Sequence, residues 1–226
     1  MPAFYPKLML NHKKSSPTVI LGTFGLVLML TLQSCVTQSL MGTWQSDRDF
    51  AGDIDKVLIM GLINNVTLRS EVENRVLDAA NKASVTATNG MSMFPPELGR
   101  PFDDIERVKT RLRDRGFSAI MTVALIDVRA QRYVGSTTTY EPLIFYDRFR
   151  NYYYRTYELV YTTGYFAQST NYFAEINLYE LNEGKLLWSG RSAVFAPHEL
   201  DATLPRVSND LFKELKRVGL IDNQSE

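Results

Sequence analysis

The stretch "SAIMTVALIDV", Ser118–Val128, decides the fold. It is an apolar run too short for a core helix, it is rich in β-branched residues, and no polar residue interrupts it at every second position. Such a run reads as a strand covered on both faces, and that requires helices above and below the sheet. The residues before it supply one helix. Asp103, Asp104 and Glu106 crowd its start and Arg111, Arg113 and Arg115 its end, which suits the helix dipole, and Gly116 is a natural residue just past the last turn. Ile105, Val108 and Leu112 form its buried stripe. The five basic residues from Arg107 to Arg115 alternate with acids, so they read as a solvated face and not as a phosphate site.

Working outward, "KVLIMGLI" (Lys56–Ile63) is a second buried strand, followed by a turn at Asn64-Asn65. Leu68, Val72, Val76, Ala79 and Ala83 recur at three or four residues and predict an amphipathic helix. "SVTAT" (Ser84–Thr88) predicts a further strand, and the Gly- and Pro-rich residues 89–101 a loop. Toward the C-terminus, "NYFAEINLYEL" and "KLLWSGRSAVF" are two strands joined by a tight turn at Asn182-Glu183-Gly184. A last helix is predicted from near Thr203, with Pro205 in its first turn. Its stripe is Leu204, Val207, Leu211, Leu215 and Val218, and Gly219 ends it. The expected fold is therefore a single α/β domain over residues 56–221. It has a mixed sheet with helices packed on it, in the order β-α-β-α-β, then a β-meander, then α.

The N-terminal residues place the protein. Lys7, Lys13 and Lys14 precede fifteen uncharged residues, "TVILGTFGLVLMLTL" (Thr18–Leu32), the pattern of an export signal. Spanning a bilayer takes about 20 apolar residues. "LTLQSC" (Leu30–Cys35) follows, and Cys35 is the only cysteine of the chain. Leu32-Gln33-Ser34-Cys35 resembles the bacterial lipobox, although Gln33 is an unusual occupant of its position. The resemblance implies a signal peptide over 1–34, removed on maturation, and diacylglycerol with further acyl chains on Cys35. One acyl chain binds a membrane only marginally, whereas two or three anchor it. A sole cysteine fits this use, since no disulfide framework can be built. Val36 stands where enteric lipoproteins retained in the inner membrane carry Asp, so the resemblance implies an outer-membrane lipoprotein facing the periplasm. Residues 35–55 are expected to be a lipidated tether, with Trp44 as a possible docking residue, and 222–226 a tail.

Charge and chemistry exclude several functions. Lys+Arg and Asp+Glu are both 25, but three of the lysines lie in the signal, so the remainder carries about −3. That gives no basic footprint for nucleic acid. Once the signal is removed, His198 is the only histidine and Cys35 carries lipid. No Ser-His or Cys-His pair and no His/Cys metal cluster is left. Asp103-Asp104 read as helix-start acids, and Asp127, at a strand end, is a lone carboxylate. The expectation is a protein without catalysis, cofactor or metal.

"NLYELNEGKLLWSG" (Asn177–Gly190) resembles a hairpin of the form R-L-V-D-x-x-T-G-x-V-V-W-S-A. "RLRDRGFSAIMTVALIDV" (Arg111–Val128) resembles a helix followed by G-A-D-A-I-L-x-G-x-V. Both recur in bacterial envelope proteins with an anticodon-binding-like α/β domain, including the N-terminal domain of TolB, the curli secretion lipoprotein CsgG and the peptidoglycan synthase activator LpoB. Glu183-Gly184 replaces the usual Thr-Gly, and Phe117-Ser118 the usual Ala-Asp. The resemblance speaks to fold, with Trp188 packed inside the hairpin, and only weakly to function.

The unusual interval is Tyr133–Phe173, which holds ten of the twelve tyrosines and four phenylalanines. Three readings compete for this Tyr-rich insertion. Its aromatics could pack on one another and on the sheet. They could form a rigid Tyr/Arg surface that recognises a partner. Or the alternation Tyr, Arg, Tyr, Leu, Tyr, Thr, Tyr from Tyr153 to Tyr165 could be a membrane-active hairpin, for which Arg155 on the aromatic face is costly. The functional expectation is a non-catalytic scaffold that binds another envelope component through Tyr152, Tyr153, Tyr154, Arg155 and Tyr157. The alternatives are an oligomeric secretion-channel subunit of the curli-lipoprotein type and an activator of a peptidoglycan synthase. The short tether argues against the activator.

Overall fold

The structure, a computed structural model, describes residues 39–47, 54–95, 104–128, 147–161 and 171–222. The signal and Cys35 lie outside the described residues, as do Asp103, Tyr133–Tyr146 and Tyr165. The core is a six-stranded mixed sheet. Its strands are β1 (Leu40–Gln45), β2 (Val57–Leu62), β3 (Ala87–Asn89), β4 (Ala119–Asp127), β5 (Tyr172–Glu180) and β6 (Leu186–Ser192). Their spatial order is β1-β6-β5-β4-β2-β3. β2 runs parallel to β3 and β4, and all other pairings are antiparallel. The expected α/β class with a mixed sheet is what the chain forms.

Alternation along the strands divides the core. Val57, Ile59, Met121, Val123, Ile176 and Trp188 face helices α1 (Val66–Lys82) and α5 (Leu200–Arg217). Leu58, Met60, Ile120, Ala124, Phe173 and Tyr179 face α3 (Ile105–Arg113) and α4 (Phe149–Val160). β4 is buried at every position, as its continuous apolar run requires. A single turn, α2 (Gly90–Met93), follows β3.

Local signals account for most boundaries. The Asn65 side chain accepts from Leu68 N at 2.9 Å and starts α1, and that of Asp104 accepts from Arg107 N at 3.0 Å and starts α3. Gly116, Gly184 and Gly219 all have φ near +70 to +77°, at the α3 exit, the β5–β6 turn and the α5 exit. Trp188 is fully buried, and Gly190 leaves room for its ring. A Cβ at 190 would lie 2.3 Å from that ring.

Besides α2, a helical turn inside the stretch 89–101 read as a loop, the structure differs from the sequence expectation at three places. The stretch read as tether contains β1, an edge strand paired with β6. Ser39 Oγ donates to Asp210 Oδ2 at 2.6 Å and Gln45 Nε2 to Val218 O at 3.2 Å, which ties it to α5. Trp44 packs against the core beside β6. α5 starts at Leu200, not near Thr203, so Pro205 lies in its second turn, where its missing N–H leaves one carbonyl without its helical partner. The third difference is α4, a helix where the sequence alternation suggested a strand.

Candidate functional site

α4 carries the residues "FRNYYYRTYELV". Phe149, Tyr152, Tyr153, Thr156 and Val160 are its buried residues, a spacing of three and four that fits a helix and not a strand. No side chain caps its start, and its first turn holds no acid. Phe149 N donates instead to Gly184 O at 2.8 Å, so the helix is fixed by the β5–β6 turn below it. Its stability comes from packing: the Phe149 and Tyr179 rings meet edge-on at 5.6 Å, and those of Tyr152 and Tyr179 lie 5.9 Å apart.

This placement separates the five expected binding residues. Tyr152 and Tyr153 belong to the core at 0% and 3% exposure, so their rings face the sheet and are not presented to a partner. Burial pushes the Tyr153 hydroxyl well above the usual tyrosine range, with Tyr157 and Tyr161 adding to the shift. Tyr154 and Arg155 are exposed, and Tyr157 is half-buried. One residue absent from the expectation joins them. Tyr161, just past the last turn, stacks on Tyr157 with ring centres 4.0 Å apart and planes 11° from parallel. Its hydroxyl donates to Ile63 O at 3.1 Å, and the Arg150 guanidinium lies 6.0 Å from the Tyr154 ring. Tyr154, Tyr157 and Tyr161 thus form one stripe, spaced three and four residues apart on the outer side of α4. Tyr161 already stood in the two-residue alternation beside Tyr153 and Tyr157, but only a helical period groups it with Tyr154 and Tyr157 and sets Tyr153 apart.

Behind the top of α4 lies a buried ion pair. Glu73, fully buried, accepts from Arg69 Nε at 2.8 Å, Gly61 N at 2.9 Å and Met91 N at 2.7 Å. The glycines make room for it. A Cβ on Gly61 would lie 3.0 Å from Arg69 Cγ, and one on Gly90 would lie 3.0 Å from Glu73 Oε1. Three donors engage this carboxylate, two on Oε1 and one on Oε2, and it staples β2, α1 and α2 together. Among the described residues no group of three His, Cys, Asp or Glu side chains could hold a metal ion. Asp127 is buried at the end of β4, Asp104 caps α3, and His198 is exposed in a turn before α5.

The described residues thus define a three-layer α/β domain with an aromatic stripe on one outer helix. No family model matches the chain, and no curated protein matches it. Among solved structures it is similar to the PelC dodecamer from Paraburkholderia phytofirmans, at 9% identity and a TM-score of 0.39, over 80% of this chain and 98% of that one. It is also similar to lipoprotein GNA1162 from Neisseria meningitidis, at 13% identity and a TM-score of 0.37, over 72% of this chain and 98% of that one. At such scores neither assembly nor role transfers to this chain. No helix among the described residues is long and apolar enough to cross a membrane.

Proposed function

We propose that this chain is an outer-membrane lipoprotein, anchored through Cys35 and facing the periplasm, that acts without catalysis as a scaffold for another envelope protein. The recognition surface is the outer stripe of α4: Tyr154, Arg155, Tyr157 and Tyr161. The observation that carries this reading is the stacked Tyr157–Tyr161 pair, which runs on to an exposed Tyr154. Large aromatic side chains already fixed by their neighbours lose little freedom on binding, and Tyr and Arg dominate the energetics of protein interfaces. The lipobox-like Leu32–Cys35 supports the anchor. The position of β1 supports a partner at the same membrane, because the fold begins by Leu40 and leaves a shorter tether than nineteen residues.

The test is a photo-crosslinker at position 155 of the full chain in cells, with and without Tyr154→Ser and Tyr161→Ser together. Both tyrosines are at the surface, so the double variant should keep its circular dichroism and melt near the parent while losing the crosslinked product. A folded variant that still gives the same product overturns the assignment of the surface.

A further inference from the structure

Exposed apolar side chains are not scattered evenly over the domain. Six large ones are exposed among the described residues, and four of them lie at one end of the sheet: Met41 at 71%, Val194 at 56%, Val66 at 50% and Tyr161 at 36%. The strand registers establish that shared end. β1 starts opposite the finish of β6, with Leu40 against Ser192, and Val194 lies two residues beyond. Tyr172, the first residue of β5, pairs with Asp127, the last of β4, and bridges to Phe195. β4 is in turn in parallel register with β2, which ends at Leu62. Val66 opens α1 four residues later, and Tyr161 reaches the Ile63 carbonyl. Met41 sits where the β1–β6 register slips, between Leu40 and Gly42, and is turned out to solvent. From β1 to β2 the row crosses four strand spacings, roughly 19 Å.

The described part of the domain begins at this same end. Ser39 is the first described residue, and its carbonyl accepts from Ala193 N at 2.9 Å. Cys35 is four residues earlier, a reach of at most about 14 Å. We infer that this end of the sheet, marked by Met41, Val66 and Val194, rests on the lipid surface in which Cys35 is anchored. The inference depends on the lipoprotein reading above and adds to it which part of the domain meets the membrane.

The contact is apolar. Among the described residues the acids Glu71, Glu199 and Asp201 stand around it, and Arg69 and Arg191 are withdrawn into pairs with Glu73 and Glu175. Nothing in that set attracts anionic headgroups, and a patch of exposed apolar side chains on a short leash otherwise stands in water at a cost. Tyr161 closes the rim of this end, its ring stacked on Tyr157 and its hydroxyl bonded to the Ile63 carbonyl. The opposite end of the sheet is charged. There Arg148, Glu183 and Lys185 surround the β5–β6 turn.

Once Cys35 is acylated, a cysteine introduced elsewhere is the only free thiol of the chain. Mature acylated protein carrying Val194→Cys, Val66→Cys or Glu183→Cys would be labelled with an environment-sensitive fluorophore. It would then be reconstituted into phosphatidylcholine vesicles containing doxyl-labelled phosphatidylcholine. The expected result is several-fold stronger quenching at positions 194 and 66 than at 183, unchanged at high salt. Equal quenching at all three positions, in protein whose mass carries the acyl chains, overturns the inference and leaves the anchor intact. Quenching that is lost at high salt overturns the apolar contact. A mass without acyl chains overturns the anchor reading, and the inference with it.

Discussion

Each end of the sheet is held by a buried carboxylate that accepts three hydrogen bonds, but the two are wired differently. At the end marked by Met41 and Val194, Glu73 takes Gly61 N, Met91 N and the Arg69 guanidinium, so one side chain joins the exit of β2, the start of α2 and the first turns of α1. At the far end Glu180 takes Asn182 N at 2.6 Å, Glu183 N at 2.7 Å and Lys185 N at 3.0 Å, all within five residues of itself. Glu73 holds layers together, and Glu180 shapes one turn. The difference lies in what is stranded when each is removed. Loss of Glu73 leaves a buried guanidinium, whereas loss of Glu180 leaves backbone N–H groups of residues that are largely exposed.

Glu73→Ala should therefore have the largest effect, about 3–5 kcal/mol of stability, because breaking a buried pair leaves an uncompensated charge. Urea unfolding of the full chain would measure it, and Glu73→Gln, which keeps the shape and one acceptor, should recover part of the loss. A cost well under 1 kcal/mol for Glu73→Ala would mean that Arg69 reaches water, and the staple would be no staple.

Glu180→Ala sharpens the contrast. The same three acceptor positions vanish, yet water can reach the turn, so the expected cost is about 1–2 kcal/mol. Gly184, at φ +70°, keeps the turn geometry without help from the carboxylate. Equal losses at the two sites would break the comparison and give the hairpin turn a share in holding the layers.

The layers were legible because their signals are periodic and redundant. The runs at Lys56–Ile63 and Ser118–Val128, the stripe of Ile105, Val108 and Leu112 and the capping by Asp104 each point the same way. β1 was not legible. "LMGTWQ" is six residues long, holds a glycine and is buried at Leu40 alone, so its strand character comes from the edge of β6 and not from its own pattern. α4 failed for another reason. With tyrosine at positions 152, 153, 154, 157 and 161, both a two-residue and a helical period can be drawn, and only the packing of Phe149 and Tyr152 on Tyr179 decides between them. The Arg69–Glu73 staple had a sequence trace, since the two are four residues apart, but such pairs are usually surface features. Its burial depends on Gly61 and Gly90, whose roles appear only in three dimensions.

The smallest expected effect compares the charges at the two ends. At the far end Glu183 is held below the usual carboxylate range, chiefly by a hydrogen bond from Lys185. At the end marked by Met41 and Val194, Glu71 is pushed up, chiefly by a hydrogen bond with the Asp201 carboxyl and then by burial. The signs are opposite. A lowered carboxylate contributes stability at neutral pH that is lost as pH falls through its folded value. A raised one detracts at neutral pH, and the penalty is relieved as pH falls through its folded value. Asp201→Asn removes the repulsion and gives Glu71 an amide donor. It should stabilise the protein at pH 7, by no more than a few tenths of a kcal/mol because the pair is largely solvated. The gain should fade as Glu71 takes up its proton in the acid range. Melting curves of parent and variant against pH would read both the sign and the fading. A gain that stays constant down to low pH would assign the effect to packing at the start of α5 and not to the carboxyl pair.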